Sequence, residues 1–389
     1  MRIILFSDTF EPELNGVATS VSTLFNILKD HGHEVYVVTT NPFSKKLTFK
    51  NNVLRLPGIK LKSLYGYILA EVYNKKAFKI LKSIDADIIH LQTDFSIAQF
   101  TYLYKKHSNA ALVYTYHTMY EDYTYYITKG FMDRTAKRII REYSLAVCEK
   151  ANAIISPSMK TLNYLRKSGV SKYIDIIPTG IDTKRFLNYQ LDENKKREFF
   201  DKHNIPHDAK IMLFLGRVAK EKNIDELLEN FQALKEIRND VYFLIVGNGP
   251  NINDFKQRAE ELGIMDKTRF IGAVPYSEID FYYSLAHVFV NASVSETQGL
   301  TFLEAMASKK VILAKYDSNL SELIVDGHNG FFFETKEEFL KKFCQILEKY
   351  DTTVNIMVKN MIESVDRLSL ENFYTNIMEV YEKAKRNNI

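Results

Sequence analysis

Hydrophobic and polar positions follow two periods that alternate along the whole chain. Short apolar runs predict strands, and the amphipathic stretches between them predict helices. The first set of predicted strands is Arg2–Phe6, Glu34–Thr40, Asp87–Leu91, Leu112–Tyr116, Ala153–Ser156 and Ile174–Pro178. The second set is Lys210–Leu215, Val241–Val246, Thr268–Gly272, His287–Val290 and Val311–Ala314. Long helices are predicted at the end of the chain, Lys336–Tyr350 and Ser369–Arg386. This alternation is typical of parallel sheets covered by helices, so the pattern predicts an α/β protein.

The two sets of strands are separated by a break at Pro178-Thr179-Gly180. A chain of 389 residues also exceeds the size at which one hydrophobic core stops growing. We therefore expect two doubly wound, Rossmann-like domains, residues 1–180 and 181–368, with a hinge near residue 180. Residues 369–389 are expected to form a helix that crosses back to the first domain. Ligands of such sheets bind beyond the carboxyl ends of the strands, which predicts an interdomain cleft.

The segment from Ser295 to Glu304 combines a helix start with two carboxylates. Residues after Gly299 read as a mostly buried helix, which places Glu296 just before the helix and Glu304 about one turn inside it. A helix N-terminus offers unpaired N–H groups and a positive dipole end to a phosphate, while carboxylates can hydrogen-bond sugar hydroxyls. The segment therefore predicts a nucleotide-sugar site.

Basic residues follow the predicted strand Lys210–Leu215. Arg217 offers a bidentate clamp and Lys222 a point charge, and together they could stabilise a departing nucleoside diphosphate without a metal. By itself this loop is equally typical of a solvated basic surface. The pair Asp85 and Asp87 has a metal-binding spacing, but it precedes its strand and lies at the end opposite the predicted cleft, so no metal site is expected.

Two further candidates follow strands of the first set. Gly16 opens a helix after the first strand and permits an anion to approach the backbone closely. His117 follows the predicted strand Leu112–Tyr116, at the edge of the sheet where ligands bind. The glycines of Gly247-Asn248-Gly249 also follow a strand, but the third glycine of a dinucleotide fingerprint is missing, which favours a tight turn.

Together these segments resemble the family-four retaining glycosyltransferases of the GT-B architecture. The matching pieces span nearly the whole chain in the order found in the family: Asn15-Gly16 with Val21, Ile177–Asp182, Gly216-Arg217 with Glu221-Lys222, Val246–Pro250, and Glu296 with Glu304. One departure is Asn15, which stands where many members have the first glycine of a Gly-Gly pair.

The resemblance implies a role for each matching residue in binding a nucleotide-sugar donor. Arg217 and Lys222 would bind the diphosphate, Glu304 the ribose hydroxyls and Glu296 the transferred sugar. Backbone groups of Gly299, Leu300 and Thr301 would contact phosphate and sugar, the Val274 backbone would face the base, and His117 would lie near the donor sugar. Neither a cofactor nor a metal is implied.

Two mechanisms stay open for such a site. In the front-face route the leaving phosphate accepts the proton of the attacking hydroxyl, and the cations Arg217 and Lys222 favour this route because they stabilise the leaving group. A double displacement would instead require a carboxylate nucleophile, for which Glu296 is the candidate.

The charge of the chain is unevenly distributed. Residues 1–178 hold 24 basic and 15 acidic residues, whereas the remainder holds 28 basic and 33 acidic residues. Cations stand beside apolar side chains in Lys60–Ala70 and Phe131–Arg141, and those expected to face an anionic membrane are Lys60, Lys62, Arg134, Lys137, Arg138 and Arg141. Either stretch alone is equally consistent with an amphipathic element packed on its sheet. No nucleic-acid-binding signature accompanies the charge, so no nucleic acid partner is expected.

A closer resemblance concerns the acceptor. Tyr114–Tyr123 and Phe6–Pro12 are similar to the bacterial 1,2-diacylglycerol 3-alpha-glucosyltransferases, the monoglucosyldiacylglycerol synthases. This subgroup implies transfer of glucose from UDP-glucose to diacylglycerol, with retention, by a peripheral enzyme on the cytoplasmic face of the membrane. Neither a signal peptide nor an apolar run of ~20 residues is visible, which agrees with that location.

Several alternatives remain at the level of sequence. The acceptor could be a glycosylated diacylglycerol, phosphatidylinositol or a soluble sugar, and glucose is not distinguished from galactose in the donor. A GT-B nucleotide-sugar epimerase and a catalytically silent sugar-nucleotide-binding protein are the other classes, although the charged set that a silent protein is expected to lose is present.

Overall fold

The computed structural model describes residues 1–13, 15–60, 68–117, 133–293, 296, 298–318 and 320–388, without the side chains of residues 133–137 and 140. The chain forms two compact units. Unit 1 comprises Met1–Gly180 together with Leu370–Ile389, and unit 2 comprises Ile181–Ser369. Each unit is built around a mainly parallel sheet.

The elements of unit 1 alternate between strands and helices. In chain order its strands are β1 (Arg2–Phe6), β2 (Glu34–Thr40), β3 (Thr48–Lys50), β4 (Val53–Leu56), β5 (Gly58–Lys60), β6 (Ile68–Ala70), β7 (Ile88–Leu91), β8 (Ala111–Thr115), β9 (Ala153–Ser156) and β10 (Ile174–Ile176). The helices are α1 (Gly16–Asp30), α2 (Lys75–Ile84), α3 (Ser96–Lys105), α4 (Asp133–Lys150) and α5 (Met159–Ser168). The main sheet has the order β10-β9-β8-β7-β1-β2-β4-β3, and β5 pairs with β6 alone.

The strand β1, in the interior of the unit 1 sheet, is buried on both faces. Along β1, Ile4 and Phe6 contribute to the core on one face, while Ile3 and Leu5 contribute to the core on the other. A parallel strand covered on both faces reads as a continuous apolar run, which is why β1 was predictable from sequence. The strand β3 is exposed throughout and pairs antiparallel at the sheet edge, so it left no such pattern.

Unit 2 has a fully parallel six-stranded sheet with the order β13-β12-β11-β14-β15-β16. Its strands are β11 (Lys210–Leu215), β12 (Val241–Val246), β13 (Thr268–Gly272), β14 (Val288–Asn291), β15 (Val311–Lys315) and β16 (Phe331–Phe333). Its helices are α6 (Thr183–Leu187), α7 (Glu193–Lys202), α8 (Ile224–Ile237), α9 (Ile252–Glu261), α10 (Ile279–Leu285), α11 (Leu300–Ala307), α12 (Lys336–Glu348) and α13 (Tyr350–Asp366).

Several predicted bounds differ from the structure, and several elements were not predicted. The strand predicted from Asp87 begins at Ile88, the strand predicted over Leu112–Tyr116 spans Ala111–Thr115, and the strand predicted to end at Ala314 ends at Lys315. The helix predicted from Ser369 begins at Leu370, and the short strands β3, β4, β5 and β6 were not predicted. The strand predicted over Ile174–Pro178 ends at Ile176, and the strand predicted from His287 begins at Val288 and extends to Asn291. The helix predicted to end at Tyr350 ends at Glu348. The helix α13 follows it directly and was not predicted, and neither was β16, whose three residues are too few for a period.

The last helix, α14 (Leu370–Arg386), packs within unit 1. Its buried side chains recur at helical spacing, at Phe373, Ile377, Val380, Tyr381 and Ala384. The Tyr381 hydroxyl lies 2.8 Å from Nδ1 of His90 in β7, and the Nε2 of His90 lies 2.7 Å from the Thr115 hydroxyl in β8. Within the described part of the chain, no helix is long and apolar enough to cross a membrane.

Candidate active site

The loop that carries Arg217 is fixed to the loop after β12 by backbone contacts. The Gly216 amide donates to the Val246 carbonyl at 3.0 Å, and the Val218 amide donates to the Asn248 carbonyl at 3.1 Å. Gly247 has a φ of 133°, and a Cβ atom at this position would collide with the Gly216 carbonyl. The glycines after β12 therefore allow close packing of two loops, which gives them a structural purpose at the carboxyl edge of the sheet.

Lys222 and Glu296 meet although 74 positions separate them in the chain. The Nζ of Lys222 lies 2.6 Å from Oε1 of Glu296, and the side chains are 22% and 13% exposed. Lys222 ends a short 3₁₀ turn after β11, whereas Glu296 precedes α11. The structure thus brings together the residues predicted to bind the diphosphate and the transferred sugar.

Arg217 also lies close to a carboxylate. Its Nη1 is 3.6 Å from Oε1 of Glu221, and the side chains are 23% and 15% exposed. Both predicted diphosphate cations therefore have an acidic neighbour. Partial burial strengthens these interactions over those of a solvated basic loop, the alternative left open by the sequence.

The helix α11 begins as predicted, directly after Gly299. Gly299 has a φ of 74°, and a Cβ atom there would come within 2.9 Å of the Phe302 ring. No side chain of the described residues caps the helix. The amides of Leu300 and Thr301 belong to the first turn, where the helix itself supplies no acceptor. The N-terminus of α11 therefore has the unpaired backbone amides expected of an anion-binding site.

Glu304 lies in α11 and is only 3% exposed. Its Oε2 accepts a hydrogen bond of 2.8 Å from the Tyr283 hydroxyl. Burial raises the pKa of Glu304 to about 7, although hydrogen bonds from Tyr283 and Tyr276 and the charge of Arg185 lower it. The residue predicted to bind ribose is thus a buried carboxyl group that ionises near neutral pH.

Val274 follows β13, the edge strand of the unit 2 sheet. It is half-buried and packs against the core of the unit, two residues beyond the end of the strand. The backbone segment predicted to face the base is therefore anchored at the carboxyl end of a strand.

In unit 1, Asn15 and Gly16 form the start of α1. The Asn15 side chain accepts a hydrogen bond of 2.9 Å from the Ala18 amide, and Asn15 has extended backbone with a φ of −154°. Asparagine is a preferred N-cap, so its presence in place of a glycine is compatible with the loop. A Cβ atom on Gly16 would meet nothing within 4 Å. Packing inside unit 1 therefore does not require glycine at position 16.

His117 lies two residues after β8 and is half-buried. Its Nε2 lies 2.7 Å from Oε1 of Gln92, which follows β7. Burial lowers the pKa of His117 to about 4. The ring is neutral at pH 7, so an Nε2 that donates to Gln92 leaves Nδ1 as a hydrogen-bond acceptor.

Sequence reasoning missed several residues that support these candidates. Gln92 orients His117, Tyr283 contacts Glu304, and Asp8 holds the loop after β1 to the start of α3. The Asp8 carboxylate accepts hydrogen bonds from the Ser96 and Ile97 amides at 3.1 and 3.0 Å. The position of Asp8 and Gln92 just after strands was the available signal, whereas nothing in the sequence marked Tyr283.

The predicted membrane-facing cations fall only partly within the described residues. Lys60 ends β5 and is exposed, and Arg138 and Arg141 are exposed on α4. Lys62 lies outside the described residues, as do the side chains of Arg134 and Lys137.

Asp85 and Asp87 have structural partners at the amino end of the unit 1 sheet. The Arg2 amide donates to Asp87 at 2.7 Å, and the Arg2 guanidinium lies 3.0 Å from Asp85. Among the described residues, no group of three or more potential ligands is arranged to hold a metal ion.

The fold and the sequence agree with known glycosyltransferases. Residues 14–185 match the family model for Glycosyltransferase Family 4, and residues 195–367 match the model for Glycosyl transferases group 1. The chain belongs to the family-four glycosyltransferases and has their GT-B fold, which confirms the family and fold predicted from the sequence.

Two similar proteins align with nearly the whole chain. The alpha-monoglucosyldiacylglycerol synthase of Acholeplasma laidlawii is 31% identical over 394 residues, which cover 98% of this chain and 99% of that protein. The protein of the same name from Streptococcus pneumoniae is 32% identical over 386 residues, covering 99% and 86% of the two chains.

Solved structures share the fold at lower identity. A sucrose-phosphate synthase from Thermosynechococcus elongatus has a TM-score of 0.78 at 21% identity, and covers 98% of both chains. Anabaena HepE in complex with UDP-glucose has a TM-score of 0.76 at 16% identity, covering 98% of this chain and 99% of the other.

Proposed function

We propose that this glycosyltransferase transfers glucose from UDP-glucose to 1,2-diacylglycerol at a membrane surface, with retention, and forms alpha-monoglucosyldiacylglycerol. The observation that supports it most is the near full-length similarity to two proteins named alpha-monoglucosyldiacylglycerol synthase. The donor site proposed here consists of the start of α11, the Lys222–Glu296 ion pair and the buried Glu304.

A diphosphate would change the pairing in this site. Its charge exceeds that of a single carboxylate, so it competes with Glu221 for Arg217 and with Glu296 for Lys222. Glu296 then becomes available to accept hydrogen bonds from hydroxyls of the transferred sugar. In this proposal, donor binding releases the Glu296 carboxylate from Lys222. Arg217 and Lys222 then stabilise the leaving group.

The cations Arg217 and Lys222 favour the front-face route over double displacement, because they stabilise the charge of the leaving diphosphate. In the front-face route the leaving phosphate accepts the proton from the attacking hydroxyl. Glu296 positions the sugar through hydrogen bonds in this scheme and forms no covalent bond to it.

The acceptor side of the proposal depends on the surface of unit 1. Phe43 is 70% exposed, Ile59 69% and Tyr73 60%. They lie in or beside the segment 43–83, which holds ten basic residues and one acidic residue, Glu71. Exposed apolar side chains among cations suit an anionic bilayer, where apolar groups enter the interface and basic groups contact the headgroups.

Purified protein supplied with UDP-glucose and diacylglycerol in anionic micelles tests the proposal. Mass spectrometry is expected to detect monoglucosyldiacylglycerol, and NMR of the product is expected to show an alpha linkage. UDP-galactose serves as the donor control, and phosphatidylinositol, a glycosylated diacylglycerol and a soluble sugar serve as acceptor controls.

Each alternative has its own outcome in this experiment. Transfer only to another acceptor contradicts the diacylglycerol assignment but keeps the donor. Release of an altered UDP-sugar without acceptor identifies an epimerase, and a beta linkage contradicts retention. Binding of UDP-glucose without any product would identify a catalytically silent protein.

A further inference from the structure

Glu304 is held by a tyrosine on a neighbouring helix. Tyr283 lies in α10, and its hydroxyl is 2.8 Å from Oε2 of Glu304 and 3.1 Å from the carbonyl oxygen of Thr301. Both Tyr283 and Glu304 are buried. The hydroxyl therefore bridges the carboxylate and the backbone of the first turn of α11, where the donor is proposed to bind.

The Tyr283 hydroxyl has a single hydrogen, so it donates to either the Glu304 carboxylate or the Thr301 carbonyl at a time. Burial raises the pKa of Tyr283 well above its ordinary value, and the hydroxyl keeps its proton. An ionised Glu304 is the stronger acceptor of the two because the hydrogen bond is charge-assisted. This bond occupies one of about four acceptor positions of the carboxylate and leaves others for a ligand.

A second tyrosine is fixed beside the same carboxylate by an arginine. Arg185 donates from Nε to Asp280 at 2.7 Å and from Nη2 to the Tyr276 carbonyl at 2.6 Å. Its guanidinium carbon also lies 4.9 Å from the centre of the Tyr276 ring. Asp182 caps the helix that carries Arg185 through a hydrogen bond of 3.0 Å to the Arg185 amide.

The contacts of Arg185 give Ile181-Asp182 a structural role beside the proposed donor site. These two residues end the segment Ile177–Asp182 that resembles the family, yet neither residue was assigned to a ligand. Asp182 starts α6, α6 carries Arg185, and Arg185 immobilises Tyr276, whose phenol lowers the pKa of Glu304. A carboxylate with fixed partners loses little freedom when it binds a hydroxyl.

We infer that Tyr283 and Tyr276 are positioning residues that hold the Glu304 carboxylate in the orientation that binds a ribose hydroxyl of the donor nucleotide. The inference rests on the proposed function, because it assumes that Glu304 contacts the ribose. Recognition of the ribose then depends on two phenolic hydroxyls that need not touch the ligand themselves.

The test compares the binding of UDP and 2′-deoxy-UDP to the full chain by calorimetry. The wild-type protein is expected to bind UDP at least about tenfold more tightly, since a hydrogen bond to a charged group is lost with the 2′-hydroxyl. Tyr283→Phe removes one oxygen atom and is expected to reduce this preference to less than about threefold. Tyr282→Phe is the matched control on the same helix and is expected to keep the wild-type preference.

Each other outcome overturns the inference in a recognisable way. A folded Tyr283→Phe protein with the wild-type preference shows that Tyr283 does not position Glu304. Equal binding of both nucleotides by the wild type overturns ribose recognition by Glu304 but leaves the donor assignment intact, whereas no binding of UDP removes the proposed function itself. If Tyr283→Phe does not fold, the half-buried Tyr276→Phe replaces it, and an unchanged preference there contradicts the inference.

Discussion

The Lys222 ammonium group lies 2.6 Å from the Glu296 carboxylate, so the residues proposed to bind the leaving diphosphate and the transferred sugar neutralise each other before a donor arrives. We expect Lys222→Met and Glu296→Gln each to lower kcat/KM for UDP-glucose by about 10²- to 10³-fold, as does loss of a group that stabilises transition-state charge. Because the two residues interact, the double variant should lose less than the product of the single effects. Steady-state kinetics of the four proteins measures this coupling.

A covalent role for Glu296 has a different outcome. If Glu296 were the nucleophile of a double displacement, Glu296→Gln would reduce the rate of transfer far more than Lys222→Met does. In the wild-type protein, a glycosyl-enzyme would accumulate with slow acceptors. Intact-protein mass spectrometry of the wild type detects such an adduct. Near-normal turnover of Glu296→Gln would instead contradict any essential role of the residue.

Glu304 should make stability depend on pH in the absence of nucleotide. Burial raises its pKa to about 7, above the ordinary value of 4.5, so the folded state binds the proton more tightly than the unfolded state. The stabilisation by the neutral carboxyl is complete below the unfolded pKa and is lost as the pH rises through 7, by at most roughly 3 kcal/mol. Glu304→Gln removes this dependence.

Calorimetric melting at pH 5 and pH 8 measures the effect. The Tm of Glu304→Gln relative to wild type is expected to be higher at pH 8 than at pH 5, while its donor affinity falls. The groups around the carboxyl are Tyr283, Tyr276, Arg185 and Asp280, and the variant leaves all four in place. An identical Tm difference at both pH values would refute a raised pKa for Glu304.

The two helix-start glycines should respond differently to alanine. Gly16 has open space around it, so Gly16→Ala is expected to change the free energy of unfolding by less than about 0.5 kcal/mol while lowering donor kcat/KM. Gly299 has a φ of 74° and lies against Phe302, so Gly299→Ala is expected to destabilise the protein by about 1–3 kcal/mol. Urea unfolding and donor kinetics of both variants separate the effects. Full activity of Gly16→Ala would argue against close approach of a ligand at α1.

His117 should stay neutral through the physiological pH range. Burial lowers its pKa to about 4, so the ring carries a single proton from pH 6 to 8 and no limb of the pH–rate profile in that range belongs to it. NMR titration of the imidazole, assigned by comparison with His117→Asn, tests the prediction. A titration midpoint near 6.5 would show that the ring is solvated and would remove the argument for a hydrogen-bond acceptor at Nδ1.

The basic surface of unit 1 should control binding to anionic membranes. Lys45, Lys46 and Lys50 are exposed, and each basic residue contributes about 1 kcal/mol near such a surface, so their replacement by glutamine should weaken vesicle binding by roughly 100-fold or more. The matched control replaces three exposed lysines of unit 2, Lys202, Lys336 and Lys341. Co-sedimentation with vesicles rich in phosphatidylglycerol is the measurement. Equal loss in both triple variants would mean that only net charge matters.

Much of the fold was predictable because parallel strands buried on both faces are continuous apolar runs. The strand β11 was predicted at the bounds that the structure shows, and the helix predicted to begin near Gly299 begins at Leu300. The exposed strand β3 and the helix α13 were missed, the first because nothing covers it and the second because it follows α12 without a breaking residue.

The sequence by itself determined the alternation of strands and helices, the family, and which residues follow the strands, since these depend on local periods and short motifs. Only the tertiary structure decided that Lys222 meets Glu296, that Gln92 orients His117 and that Tyr283 holds Glu304. These contacts join segments brought together by sheet order and helix packing. Burial then sets the pKa values of Glu304 and His117, because desolvation depends on everything packed around a group and not on its neighbours in the chain.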